Sequence, residues 1–258
     1  MQPKPFQESR IIESKVLQNS IILDDVGKVF PNGKEVLRDV SFVVNPGEFV
    51  SLVGPSGCGK STLLRIVSGL LEPTFGTVES HSEHIGYVFQ DPTLLPWRTV
   101  AQNVRLFTEL HGIEARERQA LTADAIQLVG LSGFEHYYPK TLSGGMKMRV
   151  SLARTLTLKP PVLLFDEPFG AVDEVLRDRL NEETQSLFLS EGFAGLFVTH
   201  SITEAVFMSS KVHVMSASPG AIIASFDIPF EYPREHGLRF SSEFVSLSKS
   251  VSQVLRAS

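Results

Sequence analysis

The chain has 258 residues, of which 42% are apolar and 21% charged, as is ordinary for a globular protein. Its formal net charge of -5 disfavours a surface built for nucleic-acid phosphates, and its single cysteine, Cys58, excludes a disulfide within the chain. No run of eighteen apolar residues occurs, and charged side chains are spread through 1–19. We therefore expect no membrane-spanning helix, and we expect 1–19 to be an extension rather than a secretory signal.

Short apolar runs with turns between them predict strands in the first part of the chain. Residues 21–23 and 40–44 have strand-like patterns, with a turn at 31–33. Residues 49–53 form a further apolar run that ends at a glycine-rich loop, and 61–68 predict a helix after that loop.

The second half alternates between helical and strand-like patterns. Residues from about 99 to 158 are mostly helical, and the apolar runs 162–165 and 196–198 are each followed by a helical segment. Such continuous apolar runs are typical of strands buried on both faces of a parallel sheet. The sequence therefore predicts an α/β fold in which a helical block interrupts the core, with a helical tail over 234–258.

The loop after the run 49–53 fits the phosphate-loop pattern G-x-x-x-x-G-K-[ST]. A predicted strand precedes it and a predicted helix follows, the context in which this pattern binds nucleotide phosphates. Its glycines let backbone N–H groups point inward, and the helix N-terminus adds partial positive charge. We expect Lys60 to reach the β- and γ-phosphates and the Ser61 hydroxyl to bind Mg²⁺. The loop consists of Gly54, Pro55, Ser56, Gly57, Cys58, Gly59, Lys60, Ser61 and Thr62.

Two adjacent carboxylates, Asp166 and Glu167, follow the apolar run 162–165. Alone they could be a solvated strand end, but ligands of open α/β sheets bind at the carboxyl ends of strands. With the phosphate loop they indicate a P-loop NTPase. Asp166 is expected to bind Mg²⁺, and Glu167 to orient the attacking water or accept its proton.

The run Leu142-Ser143-Gly144-Gly145-Met146 resembles the signature of the ATP-binding cassette (ABC) family. Further motifs of that family follow in order, and the resemblance covers about residues 20–230. It implies that Ser143, Gly144 and Gly145 of one subunit close on ATP held by another. It also implies an adenine contact at Phe30, a Mg²⁺ ligand and γ-phosphate sensor at Gln90, a D-loop ending at Asp173, and a switch histidine at His200.

The resemblance implies a RecA-like, mostly parallel P-loop core with an N-terminal antiparallel β subdomain and an inserted helical subdomain. One ATPase domain would then occupy 20–233, with the helical subdomain at about 99–158. It also implies a homodimer with ATP between its subunits. The implied catalytic residues Lys60, Gln90, Glu167 and His200 are all present, so we expect ATP hydrolysis.

Residues 94–100, Met146 and residues 165–170 resemble the importer branch of the family that serves nitrate, sulfonates and taurine. This resemblance implies permease subunits that span the membrane and a solute-binding protein that delivers the cargo. The chain would then bind peripherally to the cytoplasmic face of the inner membrane. Because the other chains select the solute, this sequence does not identify it.

Two other functions are open to a cassette ATPase. Soluble cassettes of DNA repair or translation usually carry coiled-coil insertions, zinc motifs or a second cassette, and this sequence has none of them. A non-hydrolysing ATP-binding regulator is disfavoured because Glu167 and His200 are both present. We therefore expect transport.

Two local features have more than one interpretation. Leu94, Leu95 and Trp97 lie in a short stretch with two prolines. Either they pack into the chain's own helical block, or the segment 89–99 forms a groove for a short helix of the membrane subunit. Cys58 lies beside a helix N-terminus and Lys60, a setting expected to favour its thiolate.

Overall fold

The computed structural model describes residues 21–80, 82, 84–170 and 172–257, so the predicted extension 1–19 lies outside the described residues. The strands are β1 (Ile21–Val29), β2 (Glu35–Val44), β3 (Phe49–Val53), β4 (Phe75–Ser80), β5 (Ile85–Val88), β6 (Val162–Asp166), β7 (Ala194–Thr199), β8 (Lys211–Met215) and β9 (Ile222–Asp227). The helices are α1 (Lys60–Val67), α2 (Val100–Val104), α3 (Leu106–Leu110), α4 (Ala115–Leu128), α5 (Gly144–Leu156), α6 (Glu174–Glu191), α7 (Ile202–Met208) and α8 (Ser242–Ala257). Short 3₁₀ helices cover Pro139–Thr141 and His236–Phe240.

The strands form two sheets. A three-stranded antiparallel sheet has the order β2-β1-β4, and a six-stranded sheet has the order β5-β6-β7-β3-β8-β9. In the larger sheet, strands from β5 to β8 run parallel and β9 pairs antiparallel with β8. Helices α2 to α5 lie in sequence between β5 and β6, as the predicted helical block requires. The α/β architecture predicted from the sequence is therefore confirmed.

The central strands are buried on both faces. Every residue of β3 and of β6 is buried. Within β3, Phe49 and Val53 join one hydrophobic core, whereas Val50 and Leu52 join the other. Each such side chain contributes about 1.5–3 kcal/mol through its removal from water. This packing fixes the strands, so the loops at their carboxyl ends start from rigid positions.

The register of the parallel strands brings three strand ends to one edge. Val53, the last residue of β3, pairs with Thr199 of β7, and Asp166 of β6 pairs with Val198. The residues that follow these strands are therefore neighbours in space. They are the start of the phosphate loop, Glu167 and His200.

The C-terminal tail packs on the helix that follows His200. Phe244 and Val251 of α8 are buried in the core. The guanidinium of Arg234 donates hydrogen bonds to the carbonyls of Val206, Phe207 and Ser209, where α7 ends. These bonds satisfy carbonyls that have no partner inside the helix. None of the helices in the described residues is long and apolar enough to cross a membrane.

His213 on β8 makes folding stability depend on pH. It is 5% exposed, and its Nδ1 lies 2.7 Å from the Ser225 hydroxyl. Burial, followed by the charge of Lys211, lowers the pKa of His213 to about 4. Between this pKa and the ordinary value near 6.5, the unfolded chain binds a proton that the folded chain does not, so stability falls as pH falls.

We expect the parent protein to lose about 2 kcal/mol of unfolding free energy between pH 7 and pH 5 through His213. In His213→Gln this part of the loss should disappear, whatever the variant's stability at pH 7. Urea denaturation at the two pH values measures the difference, with His136→Gln at an exposed histidine as the control. Equal losses in His213→Gln and the parent would contradict the assignment.

Candidate functional site

The phosphate loop connects β3 to α1 with a backbone that needs glycine. Gly59 has φ +109°, and a Cβ added there would approach the Leu37 side chain to 2.7 Å. Gly54 has no room either, because a Cβ there would lie 2.9 Å from the Cys58 sulfur. The first N–H groups of α1 have no acceptors within the helix, so they are free to bind an anion in front of it.

Lys60 is the first residue of α1 and is 4% exposed. Its Nζ donates hydrogen bonds to the carbonyls of Gly54 at 2.8 Å and Pro55 at 2.9 Å. The same Nζ lies 3.8 Å from Glu167 Oε1. The ammonium is thus held between the phosphate loop and the residue that follows β6.

The two oxygens of Asp166 have separate donors. The Ser61 hydroxyl donates to Oδ1 at 2.8 Å, and the Tyr87 hydroxyl donates to Oδ2 at 3.0 Å. Burial, and then the negative charge of Asp166, raises the pKa of Tyr87, so the phenol stays protonated and remains a donor. Within the described residues, no cluster of three His, Cys, Asp or Glu side chains could hold a metal by itself. A cation here would need further oxygens, such as those of a bound phosphate.

Glu167 is the turn that follows β6, and its backbone is strained. Its φ is +46°, a left-handed conformation that a non-glycine residue seldom adopts. Its N–H donates to the Val198 carbonyl at 2.9 Å, which fixes this turn against β7. Its Oε2 lies 3.0 Å from Nδ1 of His200. The turn therefore aims one carboxylate at both Lys60 and His200.

The signature residues lie in a separate part of the chain, beside the D-loop. Ser143 caps α5, since its hydroxyl accepts the Met146 N–H at 3.3 Å. Gly145 packs against α6, where an added Cβ would lie 2.9 Å from a Leu176 methyl. Among the described residues, no hydrogen bond or ion pair joins Ser143, Gly144 or Gly145 to the phosphate loop.

The D-loop is anchored to the helix that follows it. Asp173 caps α6 by accepting the Leu176 N–H at 3.0 Å, and the neighbouring Ala171 lies outside the described residues. Arg177 donates to the carbonyls of Phe169 at 3.2 Å and Val172 at 2.9 Å. This guanidinium ties the start of α6 to the segment after Glu167.

Phe30 and Gln90 each lie just after the carboxyl end of a strand. Phe30 directly follows β1, is half-buried, and has the Lys28 ammonium 5.6 Å from its ring centroid. Gln90 is exposed and follows β5 after Phe89. Neither side chain forms a hydrogen bond or an ion pair with Lys60, Asp166 or Glu167 in this structure.

The expectation of a thiolate at Cys58 is wrong. The side chain is 2% exposed, and burial raises the pKa of its thiol by more than the nearby charge of Lys60 lowers it. The sulfur lies 4.0 Å from Nζ of Lys60. Cys58 is therefore a small buried side chain that packs under the loop rather than an exposed nucleophile.

The apolar residues of the segment 89–99 separate into two groups. Leu94 and Leu95 are half-buried, and Leu94 packs against the hydrophobic core, so the interpretation as packing within the chain holds for it. Trp97 instead is 70% exposed. Buried Asn103 fixes the loop by accepting the Leu95 N–H at 2.8 Å and donating to the Leu95 carbonyl at 3.1 Å. Trp97 is therefore exposed to solvent on a loop that hydrogen bonds hold in place.

Two residues at the site carry no recognisable sequence signal. Tyr87 lies in a strand of only four residues, and its contact with Asp166 depends on β5 pairing with β6. Arg177 is one of several charged residues on helix α6. Only a known strand order and helix position would have drawn attention to either residue.

Comparison with known proteins identifies the family. Residues 37–170, about half of the chain, match the ABC transporter family. The ABC transporter ATP-binding protein MJ0412 of Methanocaldococcus jannaschii is 42% identical over 91% of this chain and 90% of its own. The aliphatic sulfonates import ATP-binding protein SsuB 2 of Pseudomonas syringae pv. tomato is 43% identical over 79% of this chain and 85% of its own.

Two further similarities agree. The taurine import ATP-binding protein TauB of Rhizobium johnstonii is 39% identical over 86% of this chain and 89% of its own. The dimeric structure of MJ0796, a bacterial ABC transporter cassette, superposes with a TM-score of 0.73 at 29% identity and covers 82% of this chain and 100% of that one. The fold is therefore that of a P-loop ATPase cassette, and the chain belongs to the ABC transporter family.

Proposed function

We propose that this chain is the ATP-hydrolysing subunit of an importer for a small solute, and that it acts as a dimer bound to membrane-spanning subunits. The observation that carries the proposal is the convergence of Lys60, Asp166 and Glu167 at the carboxyl ends of β3 and β6. Relatives named for the import of aliphatic sulfonates and of taurine support the transport role. The transported solute is set by other chains.

The phosphate loop would bind the triphosphate of ATP. Its backbone N–H groups and the N-terminus of α1 would supply partial positive charge, and Lys60 would supply a full one. Lys60 already lies between the loop carbonyls and Glu167, so a γ-phosphate would take over donors that are in position. Phe30, half-buried after β1, would contact the adenine.

The residues around Asp166 fit Mg²⁺. The hydroxyl of Ser61 and the carboxylate of Asp166 are oxygen donors 2.8 Å apart, and the exposed amide of Gln90 would add a third. Mg²⁺ in nucleotide sites is commonly bound through one or two carboxylates and completes its shell with phosphate oxygens and water. When bound, the ion would neutralise charge that develops on the phosphates.

Glu167 would orient the water that attacks the γ-phosphorus and accept its proton. The bond between the γ-phosphorus and the bridging oxygen breaks, and ADP leaves with that oxygen. His200, whose Nδ1 lies 3.0 Å from Glu167 Oε2, would hold the carboxylate in this orientation and contact the γ-phosphate. The strained turn at Glu167 fits this role, because strain is often retained at functional sites.

Hydrolysis would require two subunits. In the part of the chain that the structure describes, no hydrogen bond or ion pair joins the phosphate loop to Ser143, Gly144 or Gly145 of the same chain. These residues can therefore contact the ATP bound by a partner subunit. The exposed N-terminus of α5 behind Ser143 suits an anionic oxygen. Asp173 would lie at the same interface. The dimeric arrangement of the similar cassette MJ0796 supports this pairing.

The segment 89–99 would transmit the ATP state to the membrane subunits. Beside it lies a pocket of about 300 Å³, lined in part by Phe89, Phe107 and His111. An exposed tryptophan and an aromatic pocket are the kinds of anchor that a short partner helix uses. The chain would then lie on the cytoplasmic face of the membrane, with a solute-binding protein acting on the opposite side.

Trp97→Ala tests this contact. Because Trp97 is 70% exposed, the isolated subunit should keep its melting temperature and its ATP affinity. With its membrane subunits, the variant should assemble roughly 30-fold more weakly or hydrolyse ATP without solute uptake, the scale of losing an aromatic hot spot. The control is Ile223→Ala on β9, at the opposite edge of the sheet. Unfolding of the isolated variant, or unchanged assembly and uptake, would exclude 89–99 as the docking segment.

A further inference from the structure

Tyr87 holds the carboxylate of Asp166 from the side opposite Ser61. Its hydroxyl lies 3.0 Å from Oδ2, while Ser61 lies 2.8 Å from Oδ1. With a donor on each oxygen, the carboxylate is restrained about its own axis. The oxygen that faces Ser61 therefore stays directed toward the phosphate loop.

The ring of Tyr87 contacts the aromatic pocket beside the segment 89–99. It stacks on Phe89 with a centroid distance of 4.1 Å and an interplanar angle of 19°. Residues two apart on extended backbone share one face, which explains why the two rings meet. Both rings line the pocket of about 300 Å³, together with Phe107, His84 and His111.

The pocket lies where the sheet ends. β5 pairs with β6 on one side and is the edge strand of the six-stranded sheet in the described part of the chain. An occupant of the pocket would therefore press on Phe89 and on the ring stacked against it. The other end of that ring is the hydroxyl bonded to Asp166.

We propose that Tyr87 is a positioning residue that orients Asp166 for Mg²⁺ and makes this orientation respond to the membrane-subunit helix in the aromatic pocket. The inference rests on the proposed function, which supplies both the cation and the helix. It adds a second connection between the membrane-subunit helix and the ATP site. This connection runs through β5, whereas the first is expected to run through Gln90. A displacement of Phe89 would shift the phenol and loosen or tighten its bond to Asp166.

Tyr87→Phe tests the first half of the proposal, because it removes only the hydroxyl and keeps the stacked ring. The variant is made in a Glu167→Gln background, so that ATP is bound without being consumed. Binding of a fluorescent ATP analogue is measured in EDTA and during titration with Mg²⁺. We expect unchanged affinity in EDTA and a Mg²⁺ midpoint about tenfold higher, the scale of losing an outer-shell partner.

Tyr138→Phe, at a half-exposed tyrosine, is the matched control and should leave the midpoint unchanged. An unchanged midpoint in Tyr87→Phe, with ATP still bound and the dimer still formed, overturns the inference and leaves the proposed function intact. If the Glu167→Gln parent itself binds no ATP, the proposed function fails, and the inference fails with it.

Phe89→Leu tests the second half, since it removes the stacked ring and keeps the Tyr87 hydroxyl. The Mg²⁺ midpoint of each protein as the isolated subunit serves as its own reference. In the complete transporter, the membrane subunits should shift the midpoint of the parent, and Phe89→Leu should lose most of that shift. A full shift in Phe89→Leu would show that the pocket does not act through these rings.

Discussion

Glu167→Gln should bind ATP but hydrolyse it at least about 100-fold more slowly than the parent, the usual scale for losing a general base. Glutamine has nearly the shape of glutamate and retains one carbonyl oxygen. It cannot accept a proton from water, because the amide oxygen is a far weaker base than a carboxylate. The backbone turn, with its N–H bonded to the Val198 carbonyl, does not depend on the side-chain charge.

The same variant should accumulate as an ATP-bound dimer. If ATP joins two subunits, then slowing its removal keeps them together, which is a population shift caused by a ligand that binds one state better. Phosphate release measures the turnover, and light scattering with ATP measures the mass. Glu191→Gln, at an exposed position near the end of α6, is the control and should behave as the parent.

Near-normal turnover in Glu167→Gln would remove Glu167 from the proposed chemistry. His200 would then be the remaining neighbour able to accept a proton, since its ring lies 3.0 Å from the same carboxylate. Slow turnover without a dimer would retain the role of Glu167 and contradict the ATP-sandwich arrangement. Each outcome therefore bears on a separate part of the proposal.

The parts of the fold that could be predicted are those in which local pattern and burial agree. Strands β3, β6 and β7 are continuous apolar runs because they are buried on both faces, and their sequence pattern states this directly. Helix α4, predicted over 115–129, covers Ala115–Leu128. The helical tail likewise appears as α8, with Phe244 and Val251 buried.

The second half of β1 depends on tertiary context. The sequence pattern predicts a strand only to residue 23, before two aspartates, whereas β1 continues to Val29 through an irregular register. There Asp25 has φ +48° and its N–H bonds to the Ser41 hydroxyl at 2.8 Å. The strand can include this acidic pair because Ser41, on the neighbouring strand, supplies a hydrogen-bond partner. The local sequence pattern around the two aspartates contains no sign of that partner.

The candidate site shows the same division. The phosphate loop, the acidic pair and His200 could be predicted to meet, because each follows a strand of the same parallel sheet. The role of Tyr87 at Asp166 could not, since β5 has only four residues and includes Gly86, where an added Cβ would lie 2.5 Å from the side chains of Leu163 and Thr155. For Cys58 the neighbouring charge was visible in the sequence, but the burial that outweighs it was not.

Lys60→Ala should lose ATP binding by at least about 100-fold, because two or more charge-assisted hydrogen bonds to phosphate, each of about 1.5–3 kcal/mol, are removed together. The backbone amides of the loop and the N-terminus of α1 would remain, but they carry only partial charges. Titration with a fluorescent ATP analogue measures the loss. Lys34→Ala, at an exposed lysine in the turn between β1 and β2, is the control and should leave affinity unchanged.

The cost of Lys60→Ala to the fold should be small enough to keep the experiment decisive. The substitution leaves the carbonyls of Gly54 and Pro55 without the Nζ donor, and Glu167 without a cation 3.8 Å away. Water can reach these groups once the side chain is shortened, because the phosphate loop borders the surface at Ser56 and Gly57. We therefore expect a folded variant with a modestly lower melting temperature. A folded Lys60→Ala protein that binds ATP as tightly as the parent would mean that the triphosphate does not occupy this loop.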